Sequence, residues 1–299
     1  MTTYALPAER FEADRHHLRA VAYRMLGSLS EAEDAVQEAW LRAARADVAG
    51  VENLTGWLTT VVGRVCLNML RSRRARREES LDLGVTDPAV GPGGGGDPEE
   101  EALLADSVGV ALLIVLDTLA PAERLAFVLH DMFAVPFDDI APLIEKTPAA
   151  TRQLASRARR RVKGAAPAPA DASAAVDLAR QREVVGAFLA ATRGGDFEAL
   201  VSLLHPDVVL TADRFVVPTP EPIVVGGART VAEGAMAATG RARFTGVALL
   251  DGRVGLAMAP QGRLRLVLAF TVTADGITGI DVVADRERLE RMEVAVLAA

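Results

Sequence analysis

Cysteine is nearly absent from this chain, and its scarcity limits the chemistry available. Cys66 is the only cysteine among 299 residues, so neither a disulfide within the chain nor a cysteine zinc site can form. The first residues lack the basic-then-apolar pattern of a secretion signal, and no apolar run approaches the length of a membrane span. We therefore expect a cytoplasmic protein with no membrane partner, no metal and no cofactor.

An excess of positive charge is also missing. The chain has 33 Lys and Arg against 40 Asp and Glu, a net charge of −7, which is unusual for a protein that binds nucleic acid. The basic residues are nevertheless grouped at 71–77 and 152–163, apart from the acidic run at 97–101, and placement matters more than the total. Few phosphate contacts release few counterions, so we expect weak DNA binding unless a partner holds the chain on DNA.

Two stretches rich in glycine, proline and alanine, 84–98 and 164–173, interrupt the apolar patterning. Such compositions do not sustain a helix or a strand and are typical of linkers. The length suits two or three domains. The predicted organisation is three globular regions, 8–80, 102–163 and 176–299, joined by linkers 81–101 and 164–175.

The first region is predicted to be helical. Ser30 and Glu33 have the spacing of a capping box that begins a helix ending near Ala46. Its apolar face consists of Ala32, Val36, Ala39, Trp40 and Ala43. Off that face lie Asp34, Gln37, Glu38 and Leu41. A leucine beside acidic groups suits a protein contact, although the pattern fits a solvated face equally well.

The next predicted helix, about 54–77, changes from apolar to arginine-rich along its length. Arg64 and Asn68 share its polar surface with the arginines that follow, including Arg71 and Arg73. Trp57 is either a core residue or an aromatic platform for a base. Two further helices are expected in 102–133, with a break near Ala120-Pro121.

Residues 137–163 have the pattern of a helix, a tight turn and a basic second helix. Thr147 is placed to cap the second helix, and Pro148 suits its first position. Ala150, Leu154, Ala158 and Val162 recur at four-residue steps and are predicted to face inward. Such a helix fits a DNA major groove; the alternative is a solvated basic helix of an enzyme. The residues predicted to point outward are Arg152, Gln153, Ser156, Arg157, Arg159, Arg160 and Lys163.

After residue 175 the pattern becomes that of helices followed by strands. Helices are predicted at about 177–193 and 196–204, and the tail 285–297 as a short helix. The predicted strands are 207–212, 222–226, 243–250, 253–259, 263–273 and 276–284. This order favours an α+β domain with helices packed on one curved sheet. Its candidates for acid–base chemistry or a ligand pocket are His205, Asp207, Asp213 and Asp281.

The segments 33–43, 56–77 and 116–162 together resemble an extracytoplasmic-function (ECF) sigma factor of the sigma-70 family. They read EDAVQEAWLRA, GWLTTVVGRVCLNMLRSRRARR and LDTLAPAERLAFVLHDMFAVPFDDIAPLIEKTPAATRQLASRARRRV. The resemblance implies a multidomain chain with two all-α sigma domains, the second a helix-turn-helix unit. It also implies an alternative sigma factor that binds core RNA polymerase and promoter DNA, regulates transcription initiation and is not an enzyme.

The resemblance gives each segment a role. Asp34, Gln37, Glu38 and Leu41 match the segment that docks on polymerase. Arg64, Asn68, Arg71 and Arg73 fall in the segment that opens and reads the minus-ten element. In the segment that reads the minus-thirty-five element, the expected base contacts are Arg152, Gln153, Ser156 and Arg157, and the expected phosphate contacts are Arg159, Arg160 and Lys163.

The remainder resembles a SnoaL-like domain, a cone-shaped member of the nuclear-transport-factor-like fold, which implies a regulatory domain. Residues 283–292, VADRERLERM, match the closing motif of ECF sigma factors with this extension. An Asp-Gly-Gly-Gly-Lys motif of that group is reduced here to Asp213. The alternatives are an enzymatic or small-molecule-binding module with His205, Asp213 and Asp281 in its pocket, and a DNA-binding regulator that acts as a dimer.

Overall fold

The chain divides into two compact units. The computed structural model describes residues 6–82, 109–164, 172–217 and 219–297, so most of both predicted linkers lies outside the described residues. The first unit comprises Met1–Glu101 and Thr118–Arg159, and the second comprises Ala102–Asp117 and Arg160–Ala299. The second unit thus includes two short pieces of the predicted helix-turn-helix region.

The first unit begins with helices α1 (Ala8–Leu26), α2 (Leu29–Ala43) and α3 (Leu54–Asp82). Their apolar stripes meet in a core that includes the buried residues Leu18 and Leu58. Helix α1 stops at Gly27, whose φ of 76° places it in the left-handed region favoured by glycine. The predicted helical character of this region is confirmed.

The predicted capping box of α2 is wrong. Helix α2 begins at Leu29 rather than after Ser30, and Ser28 at the N-cap makes no side-chain capping bond. The Ser30 hydroxyl lies 3.1 Å from that of Ser28. The Glu33 carboxylate instead accepts hydrogen bonds from Arg15 and Arg19, because two cations on α1 compete with the helix terminus for it.

The helix-turn-helix region follows along the chain, and its residues Thr118–Arg159 belong to the first unit. Helix α4 (Val110–Thr118) precedes α5 (Pro121–Phe127), so the predicted break near Pro121 is confirmed. Helix α5 continues as a π-helical turn, Val128–Met132. Helix α6 (Phe137–Ile140) and a 3₁₀ turn then lead to α7 (Pro148–Lys163). The Ala150 N–H donates to the Thr147 hydroxyl at 3.2 Å, which confirms the predicted cap.

The predicted inward stripe of α7 is displaced by one residue along most of its length. Thr151, Ala155 and Ala158 are the buried residues, whereas Ala150 and Leu154 are only half-buried. A threonine is tolerated in the core because its hydroxyl donates to the Thr147 carbonyl at 3.0 Å. Apolar periodicity alone does not reveal such a satisfied polar residue.

The second unit has the predicted α+β fold. Helices α8 (Ala172–Gly194) and α9 (Phe197–Leu203) precede a seven-stranded sheet of order β2-β1-β6-β5-β4-β3-β7. Strands β1 and β6 are parallel, and the other neighbours are antiparallel. Phe188 of α8 packs edge-on against Phe270, with ring centroids 5.3 Å apart. The strands are Leu204–Ala212, Ile223–Gly226, Thr245–Leu250, Arg253–Met258, Leu266–Thr273, Gly276–Val283 and Val294–Ala295.

Helices α10 (Ala228–Ala237) and α11 (Thr239–Ala242) connect β2 to β3 and were not anticipated. The tail also differs from the predicted single helix. It forms α12 (Arg286–Arg291) and then β7, which pairs with β3. The Glu293 N–H donates to the Asp251 carboxylate, and the Asp251 N–H donates to the Glu293 carbonyl. These two bonds hold the backbone extended after Met292.

Two pieces of the helix-turn-helix region belong to the second unit: most of α4 and the last turn of α7. Each of them contacts the α+β part of that unit. A Cβ at Gly246 of β3 would lie 2.7 Å from the Val110 Cβ, so glycine permits the close approach of α4. In the last turn of α7, the Val162 carbonyl accepts a hydrogen bond of 3.2 Å from the Val296 N–H.

Candidate nucleic-acid interface

Helix α2 presents the predicted polymerase-docking residues on one face. Asp34 and Gln37 are exposed, and Leu41 keeps 46% of its surface accessible. Glu38 forms an ion pair with Arg42 at 2.8 Å on the same exposed face. The opposite face is buried in the core. The structure therefore assembles a leucine between acidic and amide groups, although their role in docking stays a prediction.

A cavity of about 380 Å³ opens between the end of α2 and the middle of α3. Trp57, Val61, Arg64 and Asn68 follow one another at three- and four-residue steps, which places them on one face of α3. Trp57 is half-buried, and Arg64 and Asn68 are exposed. The full lining is Arg42, Ala43, Trp57, Val61, Arg64 and Asn68.

The cavity combines groups suited to an unpaired nucleotide. An indole ring offers a stacking surface, an arginine a cation for phosphate or guanine, and an asparagine amide a donor–acceptor pair for a base edge. Arg42 and Val61 were missed by the sequence analysis. The helical spacing from Trp57 indicated Val61, but the proximity of Arg42 depends on how α2 packs on α3.

Arg73 does not join this surface. It forms an ion pair with Glu31, and its Nη1 donates to the Leu26 carbonyl at 3.2 Å at the C-terminal end of α1. Only 15% of its side chain is exposed. Arg71, in contrast, is exposed. Arg73 therefore connects the three helices, and Arg64, Asn68 and Arg71 remain the predicted minus-ten residues that the structure leaves accessible.

Helix α7 exposes most of the predicted contact residues. The Arg152 guanidinium lies 5.3 Å from the centroid of the Phe137 ring, which limits its freedom near the start of the helix. Arg159 Nε donates to the Asp131 carboxylate at 2.6 Å, so a phosphate would have to compete with that ion pair. The exposed set is Arg152, Gln153, Ser156, Arg157, Arg160 and Lys163.

Asp213 of the second unit has a structural role. Its carboxylate accepts hydrogen bonds from the backbone N–H groups of Phe215, Ala284 and Asp285 at 3.0, 2.8 and 2.8 Å. Partial burial by itself would raise the pKa of Asp213, but these donors outweigh it and hold the pKa below its ordinary value. The charged form of Asp213 thus links the end of β1 by hydrogen bonds to the start of the closing motif, residues 283–292.

The other candidates for a ligand pocket do not join Asp213. His205 lies near the start of β1, and its Nδ1 accepts the Asp207 N–H at 3.1 Å. The length of the strand separates it from Asp213 by roughly 25 Å. Asp281 is exposed on β6. The structure therefore does not assemble His205, Asp213 and Asp281 into one site.

The described residues can also be searched for a metal site, a membrane-spanning helix and a reactive thiol. Among them, no group of three or more His, Cys, Asp or Glu side chains is arranged to hold a metal ion. No helix in the described part of the chain is long and apolar enough to cross a membrane. Burial raises the pKa of the Cys66 thiol to about 12, which leaves it protonated and unreactive.

Replacing Asp213 by Ala should destabilise the second unit by about 1–2 kcal/mol, because backbone donors lose a charged acceptor. The contribution of Asp213 to the free energy of unfolding is fully present above its pKa of about 3.9 in the unfolded chain. It is lost as the pH falls through the lower pKa of the folded state. Hydrogen exchange measured by mass spectrometry should accelerate in the peptide containing Ala284 and Asp285. Asp281→Ala is the matched control, and equal exchange in the two variants would contradict the structural role.

Comparison with known proteins shows which family the chain resembles. The family model described as Sigma-70 region 2 matches residues 11–76. The ECF RNA polymerase sigma factor SigJ of Mycobacterium tuberculosis is 45% identical over 208 residues, which are 70% of this chain and 65% of that protein. The probable ECF RNA polymerase sigma factor SigI of the same species is 38% identical over 198 residues, 66% of this chain and 67% of its own length.

The chain belongs to the ECF sigma factors. A crystal structure of M. tuberculosis SigJ is 33% identical and is matched over 95% of this chain and 98% of its own, with a TM-score of 0.42. The aligned sequence spans 65% of the length of the curated SigJ protein. The elements of the structure itself, a helical sigma region followed by an α+β domain with a mixed sheet, confirm the predicted fold class.

Proposed function

We propose that this ECF sigma factor binds core RNA polymerase and directs transcription initiation at particular promoters. The observation that carries the proposal is the cavity beside Trp57, Arg64 and Asn68, within the segment that matches sigma-70 region 2. It supplies a stacking ring and polar groups at one opening, which is the chemistry needed to hold a base unstacked from a melted strand. The test is whether core polymerase acquires promoter selectivity when this chain is added.

Each exposed surface then has a separate task. The face of α2 with Asp34 and Leu41 docks on polymerase. The cavity and Arg71 hold the melted minus-ten strand. Helix α7 reads the minus-thirty-five element in the major groove. Since polymerase supplies most of the affinity for DNA, a net charge of −7 is compatible with this function.

We further propose that the second unit regulates the sigma regions. Its support is the contact of α4 with β3 at Gly246 and the hydrogen bond from Val296 to Val162 in the last turn of α7. Through these contacts the α+β domain holds two pieces of the helix-turn-helix region. No catalytic role is proposed for this domain, because Asp213 is engaged with backbone amides. A small ligand of the domain stays a hypothesis.

Truncated chains that lack one or both of these contacts test the regulatory role. A chain ending at residue 284 lacks α12 and β7, and with them the Val296 bond, whereas a chain ending at 163 lacks the whole domain. We expect both to differ from the full chain by about fivefold or more in promoter-specific transcription, within the range of typical coupling free energies. Transcription at matched concentrations would measure the effect.

A chain ending at 297 is the control for that series, because it removes only the last two residues and keeps β7. Identical activity of the chains ending at 163, 284 and 297 would remove the regulatory role. Loss of transcription by all truncated chains together with loss of polymerase binding would instead indicate that the sigma regions had been damaged.

A further inference from the structure

Strand β2 (Ile223–Gly226) forms one edge of the sheet in the second unit. It pairs with β1 on one side, antiparallel, with Thr211 opposite Val224 and Val209 opposite Gly226. An edge strand carries a row of backbone N–H and C=O groups that can pair with a further strand. The outer side of β2 is therefore a place where a second chain can extend the sheet.

The hydrogen bonds to β1 decide which backbone groups of β2 point outward. Just beyond the end of β2, the Gly227 N–H donates to the Val208 carbonyl at 2.9 Å. Hydrogen-bonded and non-hydrogen-bonded pairs alternate along an antiparallel ladder, so Val225 also turns its N–H and C=O groups toward β1. Val224 and Gly226 turn theirs away from β1, and we call these outward groups the free edge.

The free edge lacks the features that usually prevent pairing between edge strands. Strand β2 reads Ile-Val-Val-Gly, with neither a charged residue nor a proline, and it pairs with β1 in a continuous register. Charges, prolines and bulges are the common means of protecting an exposed edge. At the opposite edge of the sheet, β7 has only two residues. Of the two edges, β2 is thus the one suited to pairing.

Exposed apolar side chains accumulate on the hairpin that contains the free edge. Val224 keeps 67% of its surface accessible, and Val209, its diagonal neighbour on β1, keeps 44%. Phe215 and Val217 are exposed in the connection between the two strands. Apart from Leu41 on α2, no other large hydrophobic residue is exposed in the described part of the chain. Such a concentration is typical of an interaction surface.

Opposite charges flank β2 symmetrically about Val225. Glu221 lies four residues before Val225 and Arg229 four residues after it, and both side chains are exposed. A two-fold axis at Val225 therefore brings Glu221 of one copy toward Arg229 of the other, at both ends of the paired strands. A strand of unrelated sequence would match the backbone groups of the free edge but not this arrangement of charges.

The same register satisfies the backbone groups of the free edge. With Val225 on the axis, Val224 of one copy lies opposite Gly226 of the other, and each such pair exchanges its N–H and C=O groups. The two Val224 side chains then become diagonal neighbours on one face of the extended sheet. Because Gly226 has no side chain, each valine has space beside the opposite strand.

We propose that β2 is a self-association edge, at which a second copy of this chain pairs its own β2 and continues the sheet across a two-fold axis. Two four-residue strands make a small contact compared with the roughly 1,200–2,000 Å² of stable complexes. We therefore expect a dissociation constant of about 10–100 μM. Self-association does not depend on the proposed sigma function, so each proposal can fail without the other.

Sedimentation equilibrium of the full chain, at concentrations on both sides of that constant, tests the proposal. The mean mass should rise from that of one chain toward twice that mass. Val224→Lys places a charge on the free edge and should weaken association by about tenfold or more, while folding changes little because the side chain is exposed. A chain that stays monomeric throughout would overturn the proposal and leave the edge to a strand of a different protein.

Val209→Lys is the matched control, because it makes the same change on the same face of the sheet but on β1, which is already paired on both sides. It should associate nearly as the unchanged chain does. If Val209→Lys prevents association as strongly as Val224→Lys, the copies pack through the face of the sheet, and edge pairing is wrong.

A charge exchange tests the register. Glu221→Arg and Arg229→Glu should each weaken association by about threefold to tenfold, since each places like charges together at both ends of the contact. The double variant restores opposite charges and should recover most of the affinity. Arg229→Glu also removes a guanidinium that lies 5.1 Å from the centroid of the Phe197 ring, so the recovery is the decisive result. Additive losses in the double variant would contradict the two-fold axis at Val225.

Amide hydrogen exchange, measured residue by residue by nuclear magnetic resonance, reports on the hydrogen bonds themselves. The N–H groups of Val224 and Gly226 should exchange more slowly as the chain concentration rises. That of Val225, already directed at β1, should be unaffected by concentration. Association without any change at Val224 and Gly226 would show that the copies meet elsewhere.

Discussion

The double substitution Asp34→Lys and Leu41→Asp should reduce affinity for core polymerase by about 100-fold or more, since hot-spot residues contribute about 2 kcal/mol or more each. The double substitution reverses the charge at residue 34 and replaces the exposed leucine at residue 41 with a carboxylate. Neither side chain contributes to the core, so the free energy of unfolding should change little. Titration of core polymerase with dye-labelled chain measures the affinity.

Glu52→Lys is the control for the docking variant, because Glu52 is an exposed acid in the loop between α2 and α3. It should bind polymerase as the unchanged chain does. Glu38→Lys is less suitable as a single test, since it also breaks the ion pair with Arg42. Equal affinity of the double variant and the control would show that polymerase binds elsewhere.

Arg152→Ala on α7 should weaken transcription by about 5- to 150-fold at promoters with the preferred minus-thirty-five base, which corresponds to about 1–3 kcal/mol for a bidentate base contact. Lys163→Ala removes the same charge from the other end of α7. It should weaken transcription from all promoters by one common factor, which is smaller than the loss that Arg152→Ala causes at its preferred base. Transcription from templates carrying each single base change in the element measures both effects.

Arg152→Lys distinguishes geometry from charge, because lysine keeps the charge but lacks the planar fork. It should resemble Arg152→Ala at the base that arginine reads. If Arg152→Ala and Lys163→Ala lower transcription uniformly across the templates, the assignment of base and phosphate contacts along α7 is incorrect.

The sequence predicted elements well where local signals and burial agree. Thr147-Pro148 begins α7 because its cap is local, and Gly252 lies in the tight turn between β3 and β4, with a φ of 80°. Ser30 and Glu33 also matched a local motif, but Glu33 is bound by arginines from α1. A motif of two residues contains no information about cations that the fold brings near.

Arginine roles were the least predictable part of the candidate site. Arg64, Arg71 and Arg73 occur on one basic helix, yet Arg73 turns to Glu31 and the end of α1. Likewise Arg159 pairs with Asp131 in the preceding helix region. These differences depend on packing between helices, which periodicity does not determine. Asp213 was recognised as a chemically capable group, but two of its three backbone donors, the N–H groups of Ala284 and Asp285, come from a segment distant in the chain.

The most direct test of the central claim is transcription in vitro from a template library with randomised sequence upstream of a fixed transcribed region. Core polymerase is supplied with or without the full chain, and the transcripts are sequenced to recover the active templates. The proposed function predicts that adding the chain enriches templates sharing two short elements at one fixed spacing. Recovery of the same unselected templates with and without the chain, under conditions where it binds polymerase, would contradict the account.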